Sequence, residues 1–442
     1  MTIYLCVDST SDKSYPFLRR LVDEYPGFDC RILIEEEDPV LHGSYGNVDN
    51  LGPNPKIRNS SRAYREAKGD IIWILDANVW ISGGVAGRMV DKLHGFRPNG
   101  RRAKPFKFVH QLPLVVDMPP TNPATTTTRN PSSSAVRSIL SSWGGRLDEM
   151  FMATTHAKFY SAINTVGVAP CILGKSNMFR RSHLETFTDP SQNPLLSSAA
   201  SARGRGLDFF SSYICEDHLI GELLWRSYLP GFANHGLVFG DPAVQPTSGM
   251  PVSDYVARRV RWLRVRKWTV LLATLVEPGV ESLLCCAYFS FAVTTLAPFR
   301  PFVPPTWTAM AVVWLLFVTM WMLMDRAVSS LLLHCRSVAV DADTPSYARG
   351  VGRPGGVPLC PFSSWLLAWV GREALALPIW VWAVLLGTTV EWRGKKFSVR
   401  MDMRVVEIPA EKTTQPEMTP LMTGARSGAG SGERRRNKDR VE

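Results

Sequence analysis

Asp76 closes the apolar run DIIWILD (70–76). Ligands of open α/β sheets bind beyond the carboxyl ends of the strands, so a carboxylate there is placed to meet a substrate. It would also suit Mg²⁺ or Mn²⁺ bridging to substrate phosphates, although an Asp after a strand is as readily a helix N-cap. Glu216 and Asp217 open the helical pattern of CEDHLIGELLW, in which Leu219, Leu223 and Leu224 recur at helical spacing. Carboxylates at that point either complement the positive end of a helix dipole or supply a general base for an attacking hydroxyl. RRVRW (258–262) sets Arg258 and Arg261 three residues apart, on one face of a helix, with Trp262 beside them. It reads as a basic collar beside a membrane segment or as a clamp of planar, permanently charged guanidiniums. Lys56, in GPNPKIRN, starts a helix after a Gly/Pro loop. An ammonium beside free backbone N–H groups makes a phosphate site, though the Walker pattern is absent. His110, in FKFVHQLPLVV, lies in a strand-like run, where a lone histidine is more often structural than catalytic.

The elements that position these residues are an α/β domain over residues 1–265. TIYLCV (2–7), CRILI (30–34) and DIIWILD are short apolar runs alternating with helical patterns at 15–24 and 56–67, which argues for a buried parallel sheet. Residues 117–135 are rich in Pro, Thr and Ser and read as a surface loop. From about Trp268 the texture changes. Runs at 282–298, 307–324 and 374–390 are apolar and uncharged, close to the ~20 residues that span a bilayer, and place membrane-associated helices over 266–398. Glu277, Pro278 and Glu281 put the preceding stretch at the interface, and tryptophans cluster at the ends of the runs. Three spans would put WRGKK (392–396) on the side opposite the catalytic domain, against the positive-inside tendency. The tail, 399–442, is polar, ends in SGERRRNKDR and reads as mostly disordered and able to touch anionic lipid.

Composition narrows the partners. The 442 residues are 45% hydrophobic with a net charge of +11, which suits an anionic or membrane partner. Nucleic acid is disfavoured, since zinc-finger spacing, RNP-like aromatics and a basic heptad helix are all lacking. The eight cysteines are scattered without a C-x-x-C pair, which fits a reducing, cytosolic face for the polar part.

Taken in order, NPKI (54–57), DIIWILDANV (70–79), VHQLP (109–113), CEDHLIGELL (215–224), RRVRW (258–262), EPGVES (277–282), REA (372–374) and WRGKKF (392–397) resemble the ceramide glucosyltransferases. These are membrane-bound enzymes of the GT-A clan, in glycosyltransferase family 21, and the match is to the fungal type. Arg-x-x-Arg-Trp matches the signature of the whole clan; NPKI, VHQLP and WRGKKF point to the ceramide branch. The resemblance covers most of residues 2–400.

It implies a Rossmann-like GT-A domain followed by membrane helices. It also implies inverting transfer of glucose from UDP-glucose to the primary hydroxyl of ceramide, in Golgi or ER membranes, with the domain facing the cytosol. Asp217 becomes the general base, while Arg258 and Arg261 meet the charge growing on departing UDP. Trp262 walls the sugar or acceptor site, and Arg259 faces solvent or lipid. Lys56, His110 and Glu216 line the substrate site. Asp8, with Ser9 and Asp12 as neighbouring alternatives, seats the uridine, and Asp76 holds a Mg²⁺ or Mn²⁺ ion. Two departures stand out. The family's D-x-D motif reads Asp76-Ala77-Asn78, without its second carboxylate, and the family's N-terminal membrane helix and first strand have no counterpart ahead of Met1. The competing readings are a polysaccharide- or sterol-directed transferase of the same fold and a truncated, inactive membrane adaptor.

Overall fold

The computed structural model describes residues 1–97, 99–119, 135–277 and 281–409. In chain order the elements that matter are β1 (Thr2–Val7), α1 (Tyr15–Glu24), β2 (Asp29–Ile34), α2 (Pro55–Glu66), β3 (Ile71–Leu75) and α3 (Val85–His94). They continue with β4 (Phe106–Met118), α4 (Gly144–Phe151), α5 (Ala157–Val166), β5 (Ser176–Arg180), α6 (Arg181–Phe187), α7 (Glu216–Arg226), β6 (Ala233–Ser248) and α8 (Val252–Arg266). The C-terminal part holds the apolar helices α9 (Ser282–Thr295), α10 (Trp307–Leu333) and α11 (Phe362–Trp380), then β7 (Thr389–Trp392), β8 (Lys395–Val399) and β9 (Val405–Ile408).

The α/β class holds, but the sheet is mixed. β1 and β2 pair in parallel over their whole length. The main sheet runs β3-β5-β4-β6, with β5 antiparallel to both neighbours and β4 parallel to β6. The β4/β6 ladder shifts register between Gln111 and Pro113, opposite Pro242, because neither proline has an N–H to give the ladder. β4 is buried on both faces, with α3 on one side and α7 on the other. A core of Ile57, Phe108, Phe179, Ile220 and Leu224 lies directly beneath the ends of β3 and α7. Burial at this scale contributes roughly 1.5–3 kcal/mol per large apolar side chain, so the platform under those ends is rigid.

Among the described residues, two helices are long and apolar enough to cross a membrane, Trp307–Leu333 and Phe362–Leu385. Of the expected run at 374–390, residues up to Leu385 are the second half of the latter and Thr389 and Val390 already belong to β7; the helix starts twelve residues earlier and carries Arg372 and Glu373 in its middle. Those charges are tolerated because they are paired. Arg372 bonds Asp325 of α10 at 3.1 Å and Thr155 Oγ1 at 2.7 Å, and it also reaches Thr154 and Glu373. Asp325 further accepts from Trp369 Nε1 at 2.9 Å and pairs with Lys158 of α5 at 2.5 Å. Buried charges persist only when paired and hydrogen-bonded, and this network ties α10 and α11 to the α/β domain. The run expected at 282–298 forms only the 14-residue α9, about 21 Å long at 1.5 Å per residue and short of a bilayer core. It packs on α10, with Phe289 and Phe317 ring centroids 4.4 Å apart.

WRGKK does not lie opposite the catalytic domain. It forms the β7–β8 turn, and β7–β9 pack on Cys215 and Val265, with Val405 N donating to Ser212 O at 2.9 Å. The expected tail boundary at 399 falls at the end of β8, and the small sheet continues to Ile408. The remainder of the tail and nearly all of the Pro/Thr/Ser loop lie outside the described residues.

Candidate active site

Asn54 shows how the local sequence builds the site. Pro55 at the first helical position is pre-set for a helix, and the Asn54 side chain caps α2 by accepting from Lys56 N at 2.8 Å and Ile57 N at 3.2 Å. The same side chain's amide nitrogen donates to Glu216 Oε2 at 3.0 Å and to Tyr213 O. One asparagine therefore fixes the start of α2 against the start of α7.

Lys56 then points into a cluster drawn from four segments. Its Nζ lies 2.8 Å from Asp76 Oδ1 at the end of β3, 3.4 Å from Glu216 Oε1 and 3.0 Å from the carbonyl of Gly174. Asp217 stands beside it: a Cβ built on Gly174 would be 3.0 Å from both Asp217 Oδ2 and Lys56 Nζ. Burial works against the Lys56 charge, but Glu216, Asp76 and Asp217 outweigh it and hold the ammonium above its ordinary range. Burial raises the carboxylates, and for Asp76 the two lysines beside it, Lys56 and Lys175, reverse this and leave it below its ordinary value. Glu216 is pushed up to about 7, by burial first and against Lys56. Burial likewise lifts Asp217.

The two acids at the head of α7 are thus not equivalent. Glu216 is 5% exposed and both its oxygens are engaged, so it holds Lys56 and Asn54 in place. Asp217 is half-buried and joins none of the ion pairs among the described residues, which leaves its carboxylate available to accept a proton. A carboxylate raised by burial is also a stronger base than one in water.

Lys175 belongs to the cluster although its place in the sequence does not announce it. It sits in the turn leading into β5, where its carbonyl accepts from Asp76 N at 3.0 Å. Its Nζ bonds Asp76 Oδ2 at 2.9 Å and Asn78 Oδ1 at 3.1 Å. No sequence signal marks it beyond a Gly-Lys pair ahead of a strand.

α8 brings the arginines alongside. Arg258 is fixed by Asp148 of α4 at 3.4 Å, by Gln245 Oε1 of β6 at 3.3 Å and by stacking on Trp262, 4.7 Å from guanidinium carbon to ring centroid. Trp262 thereby sets the plane of that guanidinium. Arg258 is near enough to Lys175 for its charge to work against that of the ammonium. Arg261 is half-buried yet makes no hydrogen bond or ion pair among the described residues. Burial and the neighbouring Arg258 press on its charge, the condition of a cation awaiting an anion. Arg259 is not the solvent- or lipid-facing member of RRVRW. It is 7% exposed, lies 3.5 Å over the Phe151 ring and pairs with Glu277 at 3.4 Å, because its helix face packs on α4.

Two expected site residues lie elsewhere. His110 is fully buried in β4, with Nδ1 2.5 Å from Tyr160 Oη and Nε2 unpartnered, and burial lowers it to about 3, so it is a neutral core group. Asp8 is exposed just past β1, where its carboxylate accepts from Ser9 N at 3.0 Å. It shares no bond with the Lys56 cluster, although it stands at the carboxyl end of two parallel strands, where a ligand is expected.

A divalent cation does not fit this donor set. Both oxygens of Asp76 are occupied by ammonium groups, Asn78 Oδ1 is taken by Lys175, and no group of three or more His, Cys, Asp or Glu side chains is placed to hold a metal among the described residues. The expectation of Asp76 as a metal ligand therefore finds no support in the geometry.

Among the described residues the arrangement comprises a carboxylate outside any ion pair, Asp217, which lines a small crevice with Lys56, Phe108, Asn177 and Glu216, and a bank of cations alongside. That is the equipment for displacing an anionic leaving group. Comparison with known proteins agrees. The profile of the family described as "Glycosyl transferase family 21" matches residues 2–100 and 193–405. The chain is 59% identical over 415 residues to "Ceramide glucosyltransferase" of Pyricularia oryzae, covering 92% of this chain and 80% of that protein. It is 47% identical over 461 residues to "Ceramide glucosyltransferase" of Gibberella zeae, covering 100% of this chain and 84% of that protein. The Komagataella phaffii protein of the same name is 36% identical, covering 92% of this chain and 78% of its own length. The chain belongs to glycosyl transferase family 21.

Proposed function

We propose that this protein transfers glucose from UDP-glucose to the primary hydroxyl of ceramide, with inversion at the anomeric carbon, to give glucosylceramide. One observation carries the chemistry: among the described residues Asp217 joins no ion pair beside the Lys56–Asp76 pair, and Arg261 on the adjoining helix has no partner. Asp217 takes the hydroxyl proton as the oxygen attacks C1, and the C1–O bond to the β-phosphate breaks with its electron pair leaving on UDP. Arg258 and Arg261 meet the charge that grows there, where preorganised cations are most effective. Asp8 and the carboxyl ends of β1 and β2 are the proposed uridine seat.

The acceptor reading draws on the membrane helices. Ceramide is nearly all hydrocarbon, and a domain bound to α10 and α11 through Arg372 and Asp325 can meet its hydroxyl at the headgroup layer without extracting it. UDP-glucose is made in the cytosol, so the domain faces that side of a Golgi or ER membrane. The test is product analysis. Membranes containing the chain, given labelled UDP-glucose, should form β-linked glucosylceramide when ceramide is supplied. Label appearing in a sterol glycoside or a polymer, with or without ceramide, would overturn the acceptor assignment.

A further inference from the structure

We propose that Lys175 supplies to the diphosphate the positive charge that a divalent cation would bring, so that transfer by this chain needs no metal ion. The proposal rests on the UDP-glucose reading above.

Three features of Lys175 support it. Its position is built from two directions: the backbone carbonyl accepts from Asp76 N at 3.0 Å while the ammonium bonds Asp76 Oδ2 at 2.9 Å. The main chain of the β3 end and the side chain at that end are therefore held by one residue. The ammonium also reaches Asn78 Oδ1 at 3.1 Å, bridging the two ends of Asp76-Ala77-Asn78, the place where a D-x-D motif would hold its ion. Finally, the side chain is 12% exposed and sits within the field of Arg258 and Lys56, so its charge is only partly compensated by Asp76.

An asparagine at position 78 makes chemical sense in this arrangement. A second carboxylate would over-neutralise Lys175 and draw it away from a phosphate, whereas an amide oxygen orients the ammonium without cancelling it. An arriving diphosphate relieves the repulsion among Lys175, Arg258 and Arg261, and the extra charge released as C1–O breaks is met by donors already in place. The balance is complete without another reactant: the acceptor oxygen bonds C1, its proton goes to Asp217, and UDP leaves with the electron pair.

The experiment uses the full-length chain in membranes, assayed for glucosylceramide with excess EDTA and with added Mg²⁺ or Mn²⁺. The expected result is activity in EDTA within about twofold of that with metal, and a loss of roughly 100-fold or more in Lys175→Ala, as for removal of a preorganised charge, with Lys175→Arg retaining more. Loss in EDTA restored by either metal overturns the inference and leaves the transfer reading standing. Lys175→Ala working at nearly the wild-type rate in EDTA also overturns it, and this arm depends on UDP-glucose still raising the variant's melting temperature to show a folded site. Should Lys175→Ala fail to fold, the comparison of Lys175→Arg with Lys175→Gln in EDTA decides: equal rates count against the proposal. No product from wild type under any metal condition instead removes the transfer reading, and this inference with it.

Discussion

Lys56 Nζ lies 2.8 Å from Asp76 Oδ1, and that pair joins the first turn of α2 to the end of β3. Neither residue explains the other from sequence alone, being twenty positions apart on separate elements. Together with Glu216 at 3.4 Å, the pair makes a charged floor beside which Asp217 stands. The acids keep the lysine charged, and the lysine ties Asp76 to Glu216 across that floor.

Gly174 guards that floor. A methyl group there would stand 3.0 Å from both Lys56 Nζ and Asp217 Oδ2, closer than most Cβ contacts, in a loop whose carbonyl Lys56 already uses. Gly174→Ala should lower kcat by up to about 10-fold through displacement of Asp217 and Lys56, since a shift of a few tenths of an ångström costs less than the roughly 100-fold of a 1 Å misplacement. Steady-state kinetics in membranes with saturating ceramide would check it, and wild-type kcat would show that the loop yields.

Arg261 differs from the other arginines of its helix. Arg258 has Asp148, Gln245 and Trp262, and Arg259 has Glu277 and Phe151, whereas Arg261 has no partner among the described residues. Arg261→Lys keeps the charge but loses the planar fork that can bond two phosphate oxygens at once. A drop of about tenfold or more in kcat/KM for UDP-glucose is expected. An unchanged value would mean that only the charge matters.

The pH dependence follows from burial. Glu216 is pushed up to about 7 and Asp217 above its ordinary value, and the reaction needs the base without its proton. The rate is therefore full above the raised value of the base and is lost as pH falls through it, above the range of about 4 to 4.5 of free carboxylates. A kcat/KM profile measured in membranes should show this acid limb displaced above the range of free carboxylates. A rate that stays flat down to about pH 4, the range of a free carboxylate, would contradict the effect of burial on the base.

Much of this was legible in the sequence, and the misses share a cause. Asp76 and Glu216-Asp217 announce themselves because a strand end and a helix start are local features, and Asn-Pro-Lys is a cap with its charged residue attached. Lys175 and Asp148 do not, since one sits in a turn and the other looks like any polar residue on an amphipathic helix; only the fold shows Asp148 at 0% exposure beneath Arg258. Arg259 was misjudged for the converse reason, as an arginine is read as solvent-facing until Phe151 and Glu277 are seen against it. Arg372 and Glu373 concealed the start of α11, because charges inside an apolar run look like its end unless their partner Asp325, 47 residues away, is known. Antiparallel β5 was invisible because SNMFR carries no β-branched residue and no alternation.

The most direct test of the account is Asp217→Asn, with glucosylceramide formation and UDP-glucose binding measured on the same membranes. Transfer should fall by about 10²- to 10⁴-fold, the usual contribution of a positioned base, while UDP-glucose still protects the protein from thermal unfolding. An Asp217→Asn variant that glucosylates ceramide at the wild-type rate would contradict it.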